Sequence, residues 1–187
     1  MVLTAPGRTV SGTFSGVQVL LATDADWLVD DVVAALGDAD TSFVVCSEGR
    51  EVSKQVTKRT KDGGSFDIVV ADLQIGSMGG IAVTMALRLD ASSGNAPDLP
   101  VLVLLDRVAD VHLAKRSGAN GWLVKPLDPL RLRRAVRTIV AGGTYTEGLP
   151  PDSTAQVAPV EASADHETAP SADPAPESAS PEAVPAG

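Results

Sequence analysis

Cysteine, aromatic side chains and long apolar runs are all scarce in this sequence, and each scarcity excludes a class of protein. Cys46 is the only cysteine in 187 residues, which rules out an intrachain disulfide and a thiolate metal cluster. It lies in the apolar run Phe43-Val44-Val45-Cys46, where an inert buried thiol is expected. Aromatic residues make up 3% of the chain against 44% hydrophobic residues overall, so Val, Leu, Ala and Ile must build the core. No run approaches the ~20 apolar residues that cross a bilayer. The first residues lack a basic segment joined to an apolar one, so no secretion signal is read. These features together predict a soluble protein of a reducing compartment, the cytoplasm.

Positive charge is missing from one end. The net charge is -9; all 15 Lys and Arg lie in residues 1–146 beside 16 acids, and residues 147–187 hold the remaining eight acids with no base. The acidity therefore belongs to the tail. Nucleic acid is not expected as a direct partner, because neutralising phosphates needs clustered Lys and Arg. Residues 146–187, rich in Ala, Pro, Ser and acids, cannot bury enough apolar surface to offset their ordering entropy and are expected to be a disordered tail. Residues 1–16 are small, Gly-rich and aperiodic, and read as a flexible leader.

Between them, residues 17–145 alternate regularly. Short apolar runs rich in β-branched residues occur at Val17–Ala22, Phe43–Cys46, Asp67–Ala71, Val101–Leu105 and Gly121–Val124. Continuous apolar runs suit strands covered on both faces. Helically spaced segments separate them: Leu28, Val32, Ala35 and Leu36 in the first; Val52 and Val56 in the second; Ile81, Met85 and Leu89 in the third; Val108, Val111 and Ala114 in the fourth; Leu132, Ala135, Val136 and Ile139 in the fifth. Asp128-Pro129 should cap and open the fifth helix, Gly142-Gly143 should close it, and Asp26 is expected to cap the first. Five strand–helix units predict a single α/β domain with a doubly wound parallel sheet.

In such sheets ligands bind beyond the carboxyl ends of the strands, where strand order reverses. The first strand ends in Thr23-Asp24, the third in Asp72, the fourth in Leu105-Asp106 and the fifth before Lys125-Pro126. Asp24, Asp72 and Lys125 should therefore converge on one crevice. Two carboxylates close together repel, and a hard divalent cation such as Mg²⁺ relieves that repulsion, while a lysine supplies a fixed charge for an anion. Together these groups suit phosphoryl acceptance.

Four segments carry a family resemblance. FDIVVADLQIGSMGG resembles the phosphoacceptor segment of bacterial response-regulator receiver domains, of the chemotaxis-regulator type. SGANGWLVKP is similar to their last strand ending in Lys-Pro, VQVLLATDADWLV to the first strand with its acidic turn, and CSEGREV to the entry of the second helix. The resemblance covers roughly residues 17–143 and implies a flavodoxin-like sheet of order 2-1-3-4-5. It implies that Asp72 accepts a phosphoryl group from a partner histidine kinase. It further implies that Asp24, Asp72 and the backbone carbonyl of Gln74 hold Mg²⁺, and that Lys125 binds the phosphoryl oxygens. Lys125–Pro126 is commonly cis in the family, and Gly79-Gly80 matches its glycine turn into the third helix.

The sequence departs from that pattern in four places. Thr23 replaces one of two usual acids after the first strand, so Mg²⁺ binding is expected to be weak. Leu105 replaces the Thr or Ser that closes on the phosphoryl group, and Asp106 follows where a small residue is usual; it either caps the fourth helix or leans into the pocket. Trp122 stands at the switch position normally held by Tyr or Phe and is expected to resist burial. Gly76 replaces a proline. His112 and His166 are too isolated for a metal site, and no glycine spacing marks a nucleotide loop.

The resulting expectation is a two-component receiver protein that is not an enzyme. It would act through protein contacts of its fourth and fifth helices, without a DNA-binding output domain. The alternative is a pseudo-receiver, an interaction module independent of phosphate. A small enzyme or cofactor-binding domain of the same topology is the third reading, with no nucleophile–base pair to support it. Oligomeric state, kinase and pathway are not legible.

Overall fold

The computed structural model describes residues 16–37 and 40–147; the expected leader up to residue 15 and residues 148–187 of the expected tail lie outside them. Five strands, β1 (Gln18–Ala22), β2 (Ser42–Cys46), β3 (Ile68–Asp72), β4 (Val101–Leu105) and β5 (Gly121–Val124), alternate with helices α1 (Asp26–Leu36), α2 (Val52–Lys61), α3 (Gly80–Ser92), α4 (Val111–Arg116) and α5 (Pro129–Val140). The sheet is parallel in the order β2-β1-β3-β4-β5, as the resemblance implied.

Two-residue periodicity along each strand divides the core into two layers. Leu20, Ala22, Val69, Ala71, Val101, Val103 and Leu105 pack with Val52 and Val56 of α2, Val83 and Leu87 of α3, and Val111 and Ala114 of α4. Val19, Leu21, Val70, Leu102 and Leu104 pack on the other face with α1 and α5, including Leu28, Val32, Leu132 and Val136. Strands β3 and β4 are buried throughout, whereas the edge strand β2 shows partly exposed residues along most of its length. Continuous apolar runs mark the covered centre of the sheet, and the edge tolerates more polar neighbours.

Three local expectations are corrected. In α3 the buried face is Gly80, Val83, Thr84 and Leu87, while Met85 and Leu89 are 57% and 66% exposed. The helix is apolar around most of its circumference, so spacing alone could not choose the inward stripe. Close approach decides it: a Cβ on Gly80 would run into the carbonyl oxygen of Asp72, so only glycine lets α3 start directly against the end of β3. Val108 is likewise exposed, in a 3-10 turn (Val108–Asp110) that precedes α4. Asp26 is the first helical residue of α1, behind Ala25, and makes no capping bond. At α5 the expected cap holds, with the Asp128 carboxylate accepting the Arg131 N–H at 2.8 Å and Pro129 opening the helix.

The expected boundary at 145 falls short. After Gly142, which turns the chain at a φ of 87°, the backbone returns along the outer edge of β5. Tyr145 bridges Gly121 in parallel, its N–H donates to Asn120 at 3.0 Å and its carbonyl accepts from Trp122 at 3.0 Å. Glu147 completes this strap, accepting the Val124 N–H through its carboxylate at 3.0 Å and pairing with Arg131 of α5. The ordered domain thus includes at least the first acid of the expected tail, and the strap satisfies part of an edge that would otherwise be open to strand pairing.

Candidate functional site

Strand β1 lies between β2 and β3, so the crossovers leave it on opposite sides and open a crevice beyond its carboxyl end. Thr23, Asp24 and Asp72 reach that crevice from β1 and β3. From β4 comes Asp106, and from β5 comes Lys125.

Asp72 is the best-connected group. Its side chain is buried. Lys125 Nζ donates to Oδ1 at 2.6 Å, the Gln74 N–H reaches the same oxygen at 3.4 Å, and the Thr23 hydroxyl donates to Oδ2 at 3.2 Å. Thr23 also accepts the Ala25 N–H at 3.2 Å, which ties the turn after β1 to the site. Thr23 is more than a lost acid, because its hydroxyl holds the central carboxylate.

Lys125 follows β5 and precedes a cis bond to Pro126. Besides Asp72, its ammonium meets Asp106 Oδ1 at 3.0 Å and lies 5.7 Å from the centroid of the Trp27 ring, within cation–π range. Burial opposes the charge on this ammonium. The hydrogen bonds to Asp72 and Asp106, with their negative charges, nonetheless raise its pKa above the ordinary lysine value. Of the two alternatives for Asp106, the structure selects the pocket. It does not cap the following turn, whose N-cap is Arg107.

Asp24 is held differently. Its Oδ2 accepts the Gly76 N–H at 3.1 Å, fastening the loop after β3 to the turn after β1. That loop is tight: the Met78 N–H returns to the Gly76 carbonyl at 2.8 Å across Ser77, whose φ is 64°. A non-glycine residue there stores local strain. Gln74 is exposed on the same loop.

Among the described residues, no three His, Cys, Asp or Glu side chains gather as a metal cluster. The ends of β1 and β3 supply the carboxylates of Asp24 and Asp72, and Gln74, whose carbonyl the resemblance makes a ligand, is tied to Asp72 through its N–H. A set of hard oxygens with two carboxylates suits Mg²⁺, which completes its shell with phosphate and water, and does not suit softer metals. The pocket's charge is more negative than expected from Asp24 and Asp72 alone, because Asp106 adds a third carboxylate against Lys125.

Of the two residues at the expected switch positions, Leu105 lies where its apolar run implies and Trp122 does not. Leu105 is fully buried in the layer under α2, α3 and α4. Trp122, expected to resist burial, is 3% exposed. Its indole N–H donates to the Glu147 carbonyl at 2.7 Å, which supplies the partner that a buried indole requires. The strap, which anchors Trp122 from outside the expected domain, is the element that sequence reasoning missed. The signal for it was Tyr145, the single tyrosine of the chain, standing just before the acidic stretch.

Comparison with known proteins agrees with this architecture. The sequence matches the response regulator receiver domain family over residues 19–137. The response regulator PleD of Caulobacter vibrioides is 29% identical over 138 residues, which cover 72% of this chain and 28% of PleD. The chain thus spans less than a third of that relative's length. The response regulatory protein Rv3143 of Mycobacterium tuberculosis is 27% identical, with 67% of this chain and 92% of that protein covered. The structure of the Vibrio cholerae chemotaxis protein CheY4 superposes with a TM-score of 0.55 at 25% identity, covering 67% of this chain and 99% of CheY4. No helix among the described residues is long and apolar enough to cross a membrane. Family match, sheet order and the carboxylate–lysine crevice coincide: this chain belongs to the response regulator receiver domain family, the signalling module of two-component systems.

Proposed function

We propose that Asp72 is the phosphoacceptor of a cytoplasmic response regulator. It would receive its phosphoryl group from a histidine kinase and signal through protein contacts of α4 and α5. The observation that carries this reading is the 2.6 Å bond from the Lys125 ammonium to the buried Asp72 carboxylate. A carboxylate oxygen of Asp72 would form the new O–P bond as the N–P bond of a phosphohistidine breaks, and the imidazole nitrogen would leave with the electron pair. Lys125 balances the carboxylate charge beforehand and the phosphoryl charge afterwards, while Thr23 fixes the orientation of the nucleophile. Asp24, Asp72 and the Gln74 carbonyl are the groups that would hold Mg²⁺, which when bound neutralises charge on the transferring phosphoryl oxygens. Val108 and Leu113 around α4 and Leu130 on α5 are exposed and offer apolar contact to a partner.

A second reading, the phosphate-independent interaction module, is favoured by Leu105 and Trp122. A buried leucine offers no hydroxyl to a phosphoryl oxygen, and the aromatic is already inside and hydrogen-bonded. Incubation of the full chain with acetyl phosphate and Mg²⁺, followed by intact mass, separates the two. Gain of one phosphoryl group, abolished in Asp72→Asn, is expected; an unmodified mass at saturating acetyl phosphate favours the second reading.

A further inference from the structure

Lys125 carries one positive charge and faces two carboxylates, at 2.6 Å and 3.0 Å. Asp72 has three hydrogen-bond donors around it. Asp106 is bound to the same ammonium through Oδ1, and its buried Oδ2 has no hydrogen-bond partner among the described residues. The Asp106 side chain is 31% exposed, so solvent screens it in part, but with one oxygen buried and half satisfied the carboxylate still leans on the cation beside it. Asp106 is therefore bound chiefly by Lys125, the same group that a phosphoryl oxygen on Asp72 would need.

We infer that Asp106 is an internal competitor of the phosphoryl group for Lys125, a positioning residue whose carboxylate engages that ammonium and keeps the site weakly receptive to anions. The inference rests on the reading of Asp72 as the acceptor and adds the control of its occupancy. Two effects act in the same direction. A phosphoryl group on Asp72 must share the single Lys125 charge with Asp106, and it brings negative charge towards a carboxylate whose one cationic partner among the described residues is that ammonium. Mg²⁺ would then be required both to bind the phosphoryl oxygens and to offset Asp106, so the occupied state should be populated only under strong phosphoryl supply.

Beryllofluoride with Mg²⁺ is the probe, read by fluorine NMR on the full chain, with wild type, Asp106→Ala, Asp106→Asn and Asp72→Asn compared. Both Asp106 variants should bind the probe on the order of tenfold more tightly than wild type, and Asp72→Asn should not bind it. The isosteric Asp106→Asn guards against a folding defect from truncation and isolates charge from bulk. Equal binding by wild type and both Asp106 variants, lost in Asp72→Asn, overturns the competitor and leaves the acceptor intact. Tightening in Asp106→Ala but not in Asp106→Asn overturns it too, because space and not charge would then be limiting. Weaker binding in the variants would make Asp106 a helper of the anion, also against the inference. Absence of binding in every form defeats the acceptor reading and the competitor with it.

Discussion

The indole N–H of Trp122 donates to the main-chain carbonyl of Glu147 at 2.7 Å, so the buried aromatic of β5 is fastened to the first acid of the acidic C-terminal stretch. The Glu147 carboxylate is fastened as well, to the Val124 N–H at 3.0 Å and to Arg131. One residue thereby spans the end of β5 and the start of α5.

Glu147→Ala should lower stability by about 1–2 kcal/mol, chiefly through the unsatisfied Val124 N–H, since an exposed pair such as that with Arg131 contributes little. Calorimetry should show a melting temperature several degrees lower. Glu147→Gln keeps an acceptor for Val124 and should melt close to wild type. Were the alanine variant to melt with wild type, the strap would not be holding the edge of β5.

The raised pKa of Lys125 fixes the sign of an alkaline effect. Because the folded pKa lies above the unfolded one, the pairing contributes fully below the ordinary lysine value of 10.5 and is lost as pH rises through the folded value. Urea unfolding between pH 9 and 11.5 should show wild type losing stability more steeply than Lys125→Met at the top of that range. Near neutral pH, Lys125→Met should itself be destabilised by about 3 kcal/mol, because it leaves Asp72 and Asp106 facing each other uncompensated. Adding Asp106→Asn to it should recover part of the loss; strict additivity of the two substitutions would argue against their coupling.

Leu105→Thr places a hydroxyl at the end of β4 and removes buried methyl groups, so it should cost about 2 kcal/mol. It should also widen the response to a phosphoryl mimic. Backbone amide NMR of Val108–Ala114 and Trp122 with beryllofluoride should show larger shifts in the variant than in wild type. Equal shifts would place the restriction at Trp122 and its bond to Glu147.

The sheet and the crevice were legible because they depend on features a sequence displays directly. The apolar runs of β3 and β4 are covered on both faces, and Asp72 and Lys125 stand where those runs and the last strand end. α5 was legible for a similar reason, since Asp128 and Pro129 mark its start and polar residues separate its apolar ones. α3 was not, because Met85 and Leu89 are as apolar as Val83 and Leu87, and the contact of Gly80 with the Asp72 backbone settles its orientation. The position of Asp106 depends on how β4 and β5 bring their ends together across the sheet. Glu147 was hidden by its neighbours: composition averages over a window, and one anchored residue does not change that average.

Trp27 and Trp122 are the only tryptophans in the chain, and their surroundings are opposite. Trp27 is 56% exposed and Trp122 is 3% exposed. The first should therefore emit at longer wavelength, from a wet ring beside the Lys125 ammonium, and the second at shorter wavelength, from a dry one. The molecule carries two intrinsic optical channels, one looking into the crevice and the other at the strap. A ligand that moves Lys125 perturbs the red edge of the spectrum first, and detachment of Glu147 perturbs the blue edge. The order in which the two edges change would time the two events without any added label.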